Sequence, residues 1–143
     1  EAKFRAAYAV YMSSPKSSRD QKSTVEAVDM FKEILETYPK SPVTDSVQYY
    51  LQRATDKLAE KELDAARFYV KMNEFESAVV YYKAFVTKFP DSKHVDESKY
   101  IMAELLLKLD RKSDASEVLA DLIETGRVPD VLAKAKVLQN KIK

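Results

Sequence analysis

The sequence predicts an all-α fold, a solenoid of helical hairpins with one long fused helix, and three observations carry that expectation. The 143 residues include a single glycine, Gly126; apolar residues recur at helical spacing; and one pattern returns three times along the chain. Sheet-rich and nucleotide-binding chains spend glycine on hairpin turns and phosphate loops, so one glycine argues for helices and excludes P-loops and dinucleotide-binding fingerprints. The length suits one domain with a core and is too short for two comfortable ones, so residues 1–143 are read as one domain.

The repeated pattern reads EAVDMFKEILETYPKS over Glu26 to Ser41, SAVVYYKAFVTKFPDS over Ser77 to Ser92, and DASEVLADLIETG over Asp114 to Gly126. Its shared columns are Ala27/Ala78/Ala115, Phe31/Tyr82/Leu119, Ile34/Phe85/Leu122 and Leu35/Val86/Ile123. A small residue followed at plus four, plus seven and plus eight by large ones defines one helical face. Alanine admits a neighbouring helix backbone, the larger residues fill the space beside it, and Tyr38-Pro39 or Phe89-Pro90 stops the helix. Each of the last two copies has a partner helix before it, because 12 residues back from Ala78 and Ala115 stand Ala66 and Ala103, followed by Tyr69 and Leu106.

Taken in order, Phe4 to Met12 is a helix carrying Ala6, Ala7, Ala9 and Val10, and residues 13–22 form a polar loop. Ser23-Thr24-Val25-Glu26 has the form of a capping box opening the next helix. Between the first two copies the offset is 51 residues, against 37 between the second and third. The surplus falls in residues 45–72, which lack Gly and Pro and place Val47, Tyr50, Leu51, Ala54 and Leu58 at helical spacing. This stretch is read as one continuous helix of roughly 42 Å at 1.5 Å per residue. Asn73-Glu74-Phe75 and Asp110-Arg111-Lys112 are polar turns, with Asn73 and Ser113 as candidate caps of the helices that begin there. Gly126 stands where the earlier copies have Tyr38 and Phe89, and is expected to be a glycine stop. Val128-Pro129-Asp130 then opens a last helix, about 130–142, with Leu132, Ala135 and Leu138 on one side and a basic outer face, expected to cap the stack.

The helix-pair spacing resembles the tetratricopeptide repeat, whose period is about 34 residues. Ala66, Tyr69, Ala78, Tyr82, Phe85 and Pro90 meet its small, large and terminating positions.

Composition removes most chemistry. Without cysteine there is no disulfide, thiolate metal site or cysteine nucleophile, and the single His94 cannot form a histidine cluster. Lys+Arg 24 against Asp+Glu 23 gives a net charge of +1, too little for a nucleic-acid footprint. No apolar run reaches the roughly 18 residues of a membrane span. Glu60, Glu62 and Asp64 read as a solvated ion-pair face with Lys57, Lys61 and Arg67, and His94 as a surface or capping residue. No nucleophile, base and orienter can be assembled, so no enzyme, cofactor or metal is expected.

A stack of helix pairs is instead a surface for other chains. Tyr82, Phe85, Phe31 and Phe89 occupy repeat columns and belong to the core. Tyr81 points about 100° away from it, and the adjacent Tyr49 and Tyr50 cannot both face inward. An exposed tyrosine offers much contact area at small entropic cost. Tyr81 and one of Tyr49 and Tyr50 are therefore candidate partner contacts, with Arg67 and Lys71 adding charge.

Asp20-Gln21, Thr24-x-x-Ala27, Tyr38-Pro39-x-Ser41, LAEKELDAARFY over Leu58 to Tyr69, and Phe89-Pro90-Asp91-Ser92 together resemble the BamD-type lipoproteins of the outer-membrane β-barrel assembly machinery, over about residues 15–125. The resemblance implies a scaffold on the periplasmic face of the outer membrane. Its implied partners are the periplasmic domains of the barrel subunit, accessory lipoproteins and unfolded barrel precursors. Many members carry Arg where Tyr81 stands, at a position associated with docking on the barrel subunit, so a contact there is implied without the ion pair. The family's lipidated cysteine and further N-terminal repeats have no counterpart in these residues, which begin at Glu1 as a processed or truncated product would. Membrane attachment is thus expected only through an anchor absent from this chain. A generic tetratricopeptide adaptor, holding a short peptide in a concave groove, is the alternative reading.

Overall fold

The computed structural model describes residues 1–13 and 22–143, and every regular element among them is helical. In order they are α1 (Ala2–Ser13), α2 (Lys22–Thr37), α3 (Thr44–Lys71), α4 (Phe75–Lys88), α5 (Val95–Lys108), α6 (Lys112–Thr125) and α7 (Pro129–Ile142). The fold is all-α and tetratricopeptide-like. The loop expected over 13–22 and the Asp20-Gln21 motif fall largely outside the described residues. Two compact units divide the chain, Glu1–Lys61 and Glu62–Lys143, and α3 contributes to both.

The expected long helix is α3, 28 residues long and one residue upstream of its predicted bounds. Asp45 in its first turn and Lys71 in its last complement the helix dipole. Its entry explains the Tyr/Phe-Pro-x-Ser motif. Proline ends the preceding helix, and the serine hydroxyl then accepts a backbone N–H two residues on: Val43 N–H to Ser41 Oγ at 3.3 Å, and His94 N–H to Ser92 Oγ at 3.1 Å. The same backbone bonds close both turns, from Ser41 to Tyr38 O and from Ser92 to Phe89 O. A 51-residue offset in sequence is therefore one turn geometry used twice.

The first unit packs α1 and α2 with the N-terminal part of α3. Its core is Ala7, Tyr11, Ala27, Val28, Phe31, Ile34, Val47 and Ala54. Phe31 is fully buried and borders Phe4, Tyr11 and Tyr50 at centroid distances of 6.3, 6.5 and 6.4 Å. The repeat columns Ala27, Phe31 and Ile34 thus face inward as expected, with Leu35 only partly covered. The capping box is not where the sequence placed it. Helix α2 already begins at Lys22, so Ser23 and Thr24 lie in its first turn, and Thr24 is fully buried.

In the second unit the end of α3 runs antiparallel to α4, with Glu62 against Lys88 and Tyr69 against Tyr81. Helix α5 packs on α4, α6 on α5 and α7 on α6, while α7 also touches α5, the second-neighbour contact of stacked hairpins. Ala66, Ala78, Tyr82, Phe85, Ala103, Ala115, Leu119 and Leu122 are all buried, so the repeat columns form this core. Phe89 is only partly buried, against Phe85 at 5.7 Å.

Turns in this unit correct three expectations. Asn73 does not cap α4; it has φ 58° and ends α3. Asp110, 37 residues on, has φ 60° and ends α5 in the same way. In both turns the left-handed residue donates to the carbonyl three back, Val70 or Leu107, and its successor to the carbonyl five back, Tyr69 or Leu106. This is the Schellman arrangement, with Asn and Asp in the place glycine usually takes. Ser113 lies inside α6, whose N-cap is Arg111. Gly126 has φ −68° and ψ 157°, an extended backbone rather than a left-handed stop. Space requires it: a Cβ there would stand 2.5 Å from Leu132 Cδ2 and 2.6 Å from the Leu122 carbonyl oxygen.

Beyond Gly126 the chain is fastened by Asp96, a carboxylate only 6% exposed. Its Oδ2 accepts the backbone N–H groups of Arg127 at 2.6 Å and Val128 at 2.7 Å. The Arg127 guanidinium donates to the Pro90 carbonyl at 2.9 Å. Pro129 at the first helical position then starts α7, its fixed φ suited to that place.

Candidate partner-binding surfaces

Adjacent aromatic residues on a helix lie about 100° apart, so one of each pair is turned out of the core. Three such pairs occur on α3 and α4. In the first unit, Tyr50 is the inward member of Tyr49-Tyr50. It meets Tyr8 edge-on at 4.8 Å and Tyr11 at 5.6 Å. Its phenol pKa is raised, first by a hydrogen bond with Tyr8 and then by burial. Tyr50 is thus a packing residue, and Tyr49, more than half exposed, is the outward candidate. Arg53, one turn along, lies over the Tyr49 ring at 5.5 Å and donates to its hydroxyl and to that of Tyr11, both at 3.3 Å. Lys57 follows a turn later, 4.4 Å from the Tyr11 ring. Tyr49, Arg53 and Lys57 therefore form a tyrosine-led basic stripe on α3.

In the second unit, Tyr82 is the buried member of Tyr81-Tyr82, 2% exposed, and burial pushes its phenol pKa up. Tyr81 is half-buried and stacks on Tyr69 with centroids 4.8 Å apart. The Tyr69 phenol is raised above its ordinary pKa chiefly by its hydrogen bond with Tyr81. The third pair, Phe68-Tyr69, obeys the same rule, although Phe68 is not among the contacts expected from sequence. Phe68 is more than half exposed and meets Tyr69 edge-on at 5.5 Å. Met72, one turn on from Phe68, and Val80, beside Tyr81, are equally exposed.

Arg67 and Lys71 lie on the exposed part of this α3 segment. Arg67 reaches Asp64 at 3.3 Å, and Glu62 pairs with Lys88 at 3.2 Å, so the acidic residues of this stretch act as ion-pair partners. The second unit thus brings Tyr81, Arg67 and Lys71 onto one helical hairpin with the exposed Phe68, Met72 and Val80. Tyr49 and Tyr50 belong to the first unit. Aromatic and thioether groups beside an arginine, with charges already paired at the edge, suit protein contact.

His94 occupies the N-cap position of α5 without a side-chain cap bond. Among the described residues, no group of three or more His, Asp or Glu side chains could hold a metal ion, and no helix is long and apolar enough to cross a membrane.

Comparison with known proteins adds an independent line. A family model described as "YfiO: Outer membrane lipoprotein" matches residues 2–122. The chain is also similar to curated proteins named outer membrane protein assembly factor BamD. That of Neisseria gonorrhoeae is 27% identical over 101 residues, covering 71% of this chain and 38% of the relative. That of Caulobacter vibrioides is 24% identical over 98 residues, 68% of this chain and 32% of the relative. That of Haemophilus influenzae is 24% identical over 94 residues, 66% and 36%. The chain spans about a third of the length of these curated relatives.

Proposed function

The chain belongs to the YfiO family of outer membrane lipoproteins, and on that premise we propose that it is a non-enzymatic, protein-binding scaffold of outer-membrane protein assembly. In this reading it works at the periplasmic face of the outer membrane, as part of a longer lipoprotein. It docks on the periplasmic domains of the barrel-forming subunit, beside accessory lipoproteins, and unfolded barrel precursors are further partners. The observation that carries the proposal is the family match over residues 2–122. It is supported by the α3–α4 hairpin inside that match, which exposes Phe68 and Met72 beside Arg67, Lys71 and Tyr81.

Scaffolding needs no reacting group. It needs apolar anchors that lose water on contact, charges at the edge that set orientation, and a backbone that does not reorganise. Tyr81 is held by Tyr69, and Arg67 by Asp64, before any partner arrives. Both side chains are thereby preorganised.

The test is calorimetric titration of this chain with the purified periplasmic domains of the barrel subunit. Tyr81→Ala and Arg67→Glu are each expected to weaken binding by about ten-fold or more, the scale of a central aromatic or arginine contact. Phe68→Ser removes an exposed ring and should act similarly while leaving the melting temperature unchanged. Affinity unmoved by all three changes would exclude the hairpin as the docking surface, and no binding by the unaltered chain would exclude the docking itself.

A further inference from the structure

Helix α7 lies beyond residue 122, where the family match ends. Residues 129–143 contain four lysines, Lys134, Lys136, Lys141 and Lys143, against one acidic residue, Asp130, in a chain whose formal net charge is only +1. Basic charge is therefore concentrated on this segment. Two of its lysines, Lys134 and Lys141, line a groove of about 290 Å³ between α5 and α7, with Tyr100, Ala133, Val137 and Leu138.

The groove has an apolar floor and cationic ends. Val137 is more than half exposed there. Lys134 lies 5.3 Å from the Tyr100 ring centroid, a cation–π contact that fixes the ammonium at the edge of the floor. Glu104, one turn beyond Tyr100 on α5, acts electrostatically on the phenol and is the acidic residue a ligand would avoid. A volume near 290 Å³ is at the lower end of the ~300–1,000 Å³ usual for small-molecule sites, so it fits one large side chain better than a cofactor. Lys134 and Lys141, seven residues apart, are separated by about 10.5 Å along the helix. In an extended peptide alternate side chains share a face, so residues i and i+4 stand about 13 Å apart with residue i+2 between them, a span within reach of two flexible lysine side chains.

We propose that the α5–α7 groove binds an acidic peptide segment of a partner protein, in which one large apolar side chain lies midway between two carboxylates four residues apart. The apolar side chain rests on Val137, Leu138 and Tyr100, and the carboxylates meet Lys134 and Lys141. An anionic membrane surface fits these observations less well. Helix α7 has its Val131–Ala135 side buried in the protein. It is also tied to α6 by paired contacts between Gln139 and Ser116 at 3.4 Å, so its main apolar face is not free to enter lipid.

The test uses fluorescence anisotropy with the whole chain and a labelled nonapeptide carrying Glu-Ser-Phe-Ser-Glu between Ser and Gly flanks. Two control peptides replace both Glu by Lys, or Phe by Ser. Saturable binding of the acidic peptide is expected, weakened about ten-fold by Lys134→Glu combined with Lys141→Glu, and again by the loss of Phe. The charge-reversed chain should gain affinity for the lysine peptide, which a merely damaged protein would not do. Val137→Ser should weaken the acidic peptide without changing the melting temperature. Equal binding of acidic and basic peptides, insensitivity to the lysine changes, or no saturation at about 1 mM peptide would overturn the proposal. So would lysine-dependent binding to phosphatidylglycerol vesicles with no peptide binding. The groove uses no residue proposed to dock on the barrel subunit, so either proposal can fail without the other.

Discussion

Asp96 shows how a charged residue becomes a structural one. Apolar columns make the repeats legible, but nothing in Val95-Asp96-Glu97 distinguishes the buried carboxylate from the exposed one after it. The difference arises 31 and 32 residues later, where Arg127 and Val128 bring their N–H groups to Asp96 Oδ2. A hydrogen bond to a charged group contributes about 1.5–3 kcal/mol, and an N–H left without a partner adds a penalty. Partial solvent access to the Arg127–Val128 loop lets water recover part of the loss. Asp96→Ala is therefore expected to lower unfolding free energy by about 2–3 kcal/mol in urea titrations, and Asp96→Asn, which keeps an acceptor, by roughly half as much. A loss below about 0.5 kcal/mol for the alanine variant would show that these bonds do not hold the entry to α7. Gly126 is another residue whose role depends on its surroundings. The sequence marks it as a helix stop, yet its backbone is extended, and the Leu122 carbonyl oxygen, 2.6 Å from where a Cβ would stand, is what excludes a side chain.

Helical elements were more legible than their ends. Helix α3 could be read almost to the residue because an absence of Gly and Pro over 28 positions, with apolar residues at helical spacing, leaves no place to stop. The closing Tyr/Phe-Pro-x-Ser turns were also visible, since proline blocks the helix chemically rather than by context. Caps are less legible because Ser, Thr, Asn and Asp satisfy several local geometries at once. Asn73 has the residue type of an N-cap for α4 but takes the left-handed position that ends α3, and Asp110 does so for α5. The left-handed conformation costs an ordinary L-residue about 1–2 kcal/mol, and Asn and Asp somewhat less, whereas glycine has no such cost. Asn73→Gly and Asp110→Gly are expected to raise stability by about 0.5 kcal/mol each, part of the gain being offset by glycine's greater freedom in the unfolded chain. Valine at either position should lower stability by about 1–2 kcal/mol. Thermal melts of the four variants give the check: if glycine and valine shift the midpoint alike, these turns do not require positive φ.

At the scale of the whole chain, the repeat columns identified the cores but not their division. Periodicity records which side of each helix is covered; it does not record which helices share a core. Thus Phe31 and Phe85 stand in neighbouring repeat columns, each with no exposed surface, yet belong to separate compact units. The candidate surfaces are legible to the same degree: Tyr81 stands out of phase and Tyr49 and Tyr50 cannot both face inward, whereas which of that pair is exposed, and the exposure of Phe68, follow only from the packing. Separate cores have a measurable consequence. Removing a fully buried phenylalanine costs about 3–5 kcal/mol, a large part of the roughly 5–15 kcal/mol typical of a whole domain. Phe31→Ala leaves its cavity among Phe4, Tyr11 and Tyr50, so native-state hydrogen exchange should accelerate first in α1 and α2. Phe85→Ala should instead release amides of α4 and α5, which pack on each other in the second unit. The amides near residue 61, where one helix serves both units, are the most informative. Protection lost there in both variants, with the remote unit unchanged, is the expected result. Equal acceleration throughout α1, α2, α4 and α5 in either variant would mean that the chain opens as a single cooperative body despite its two cores.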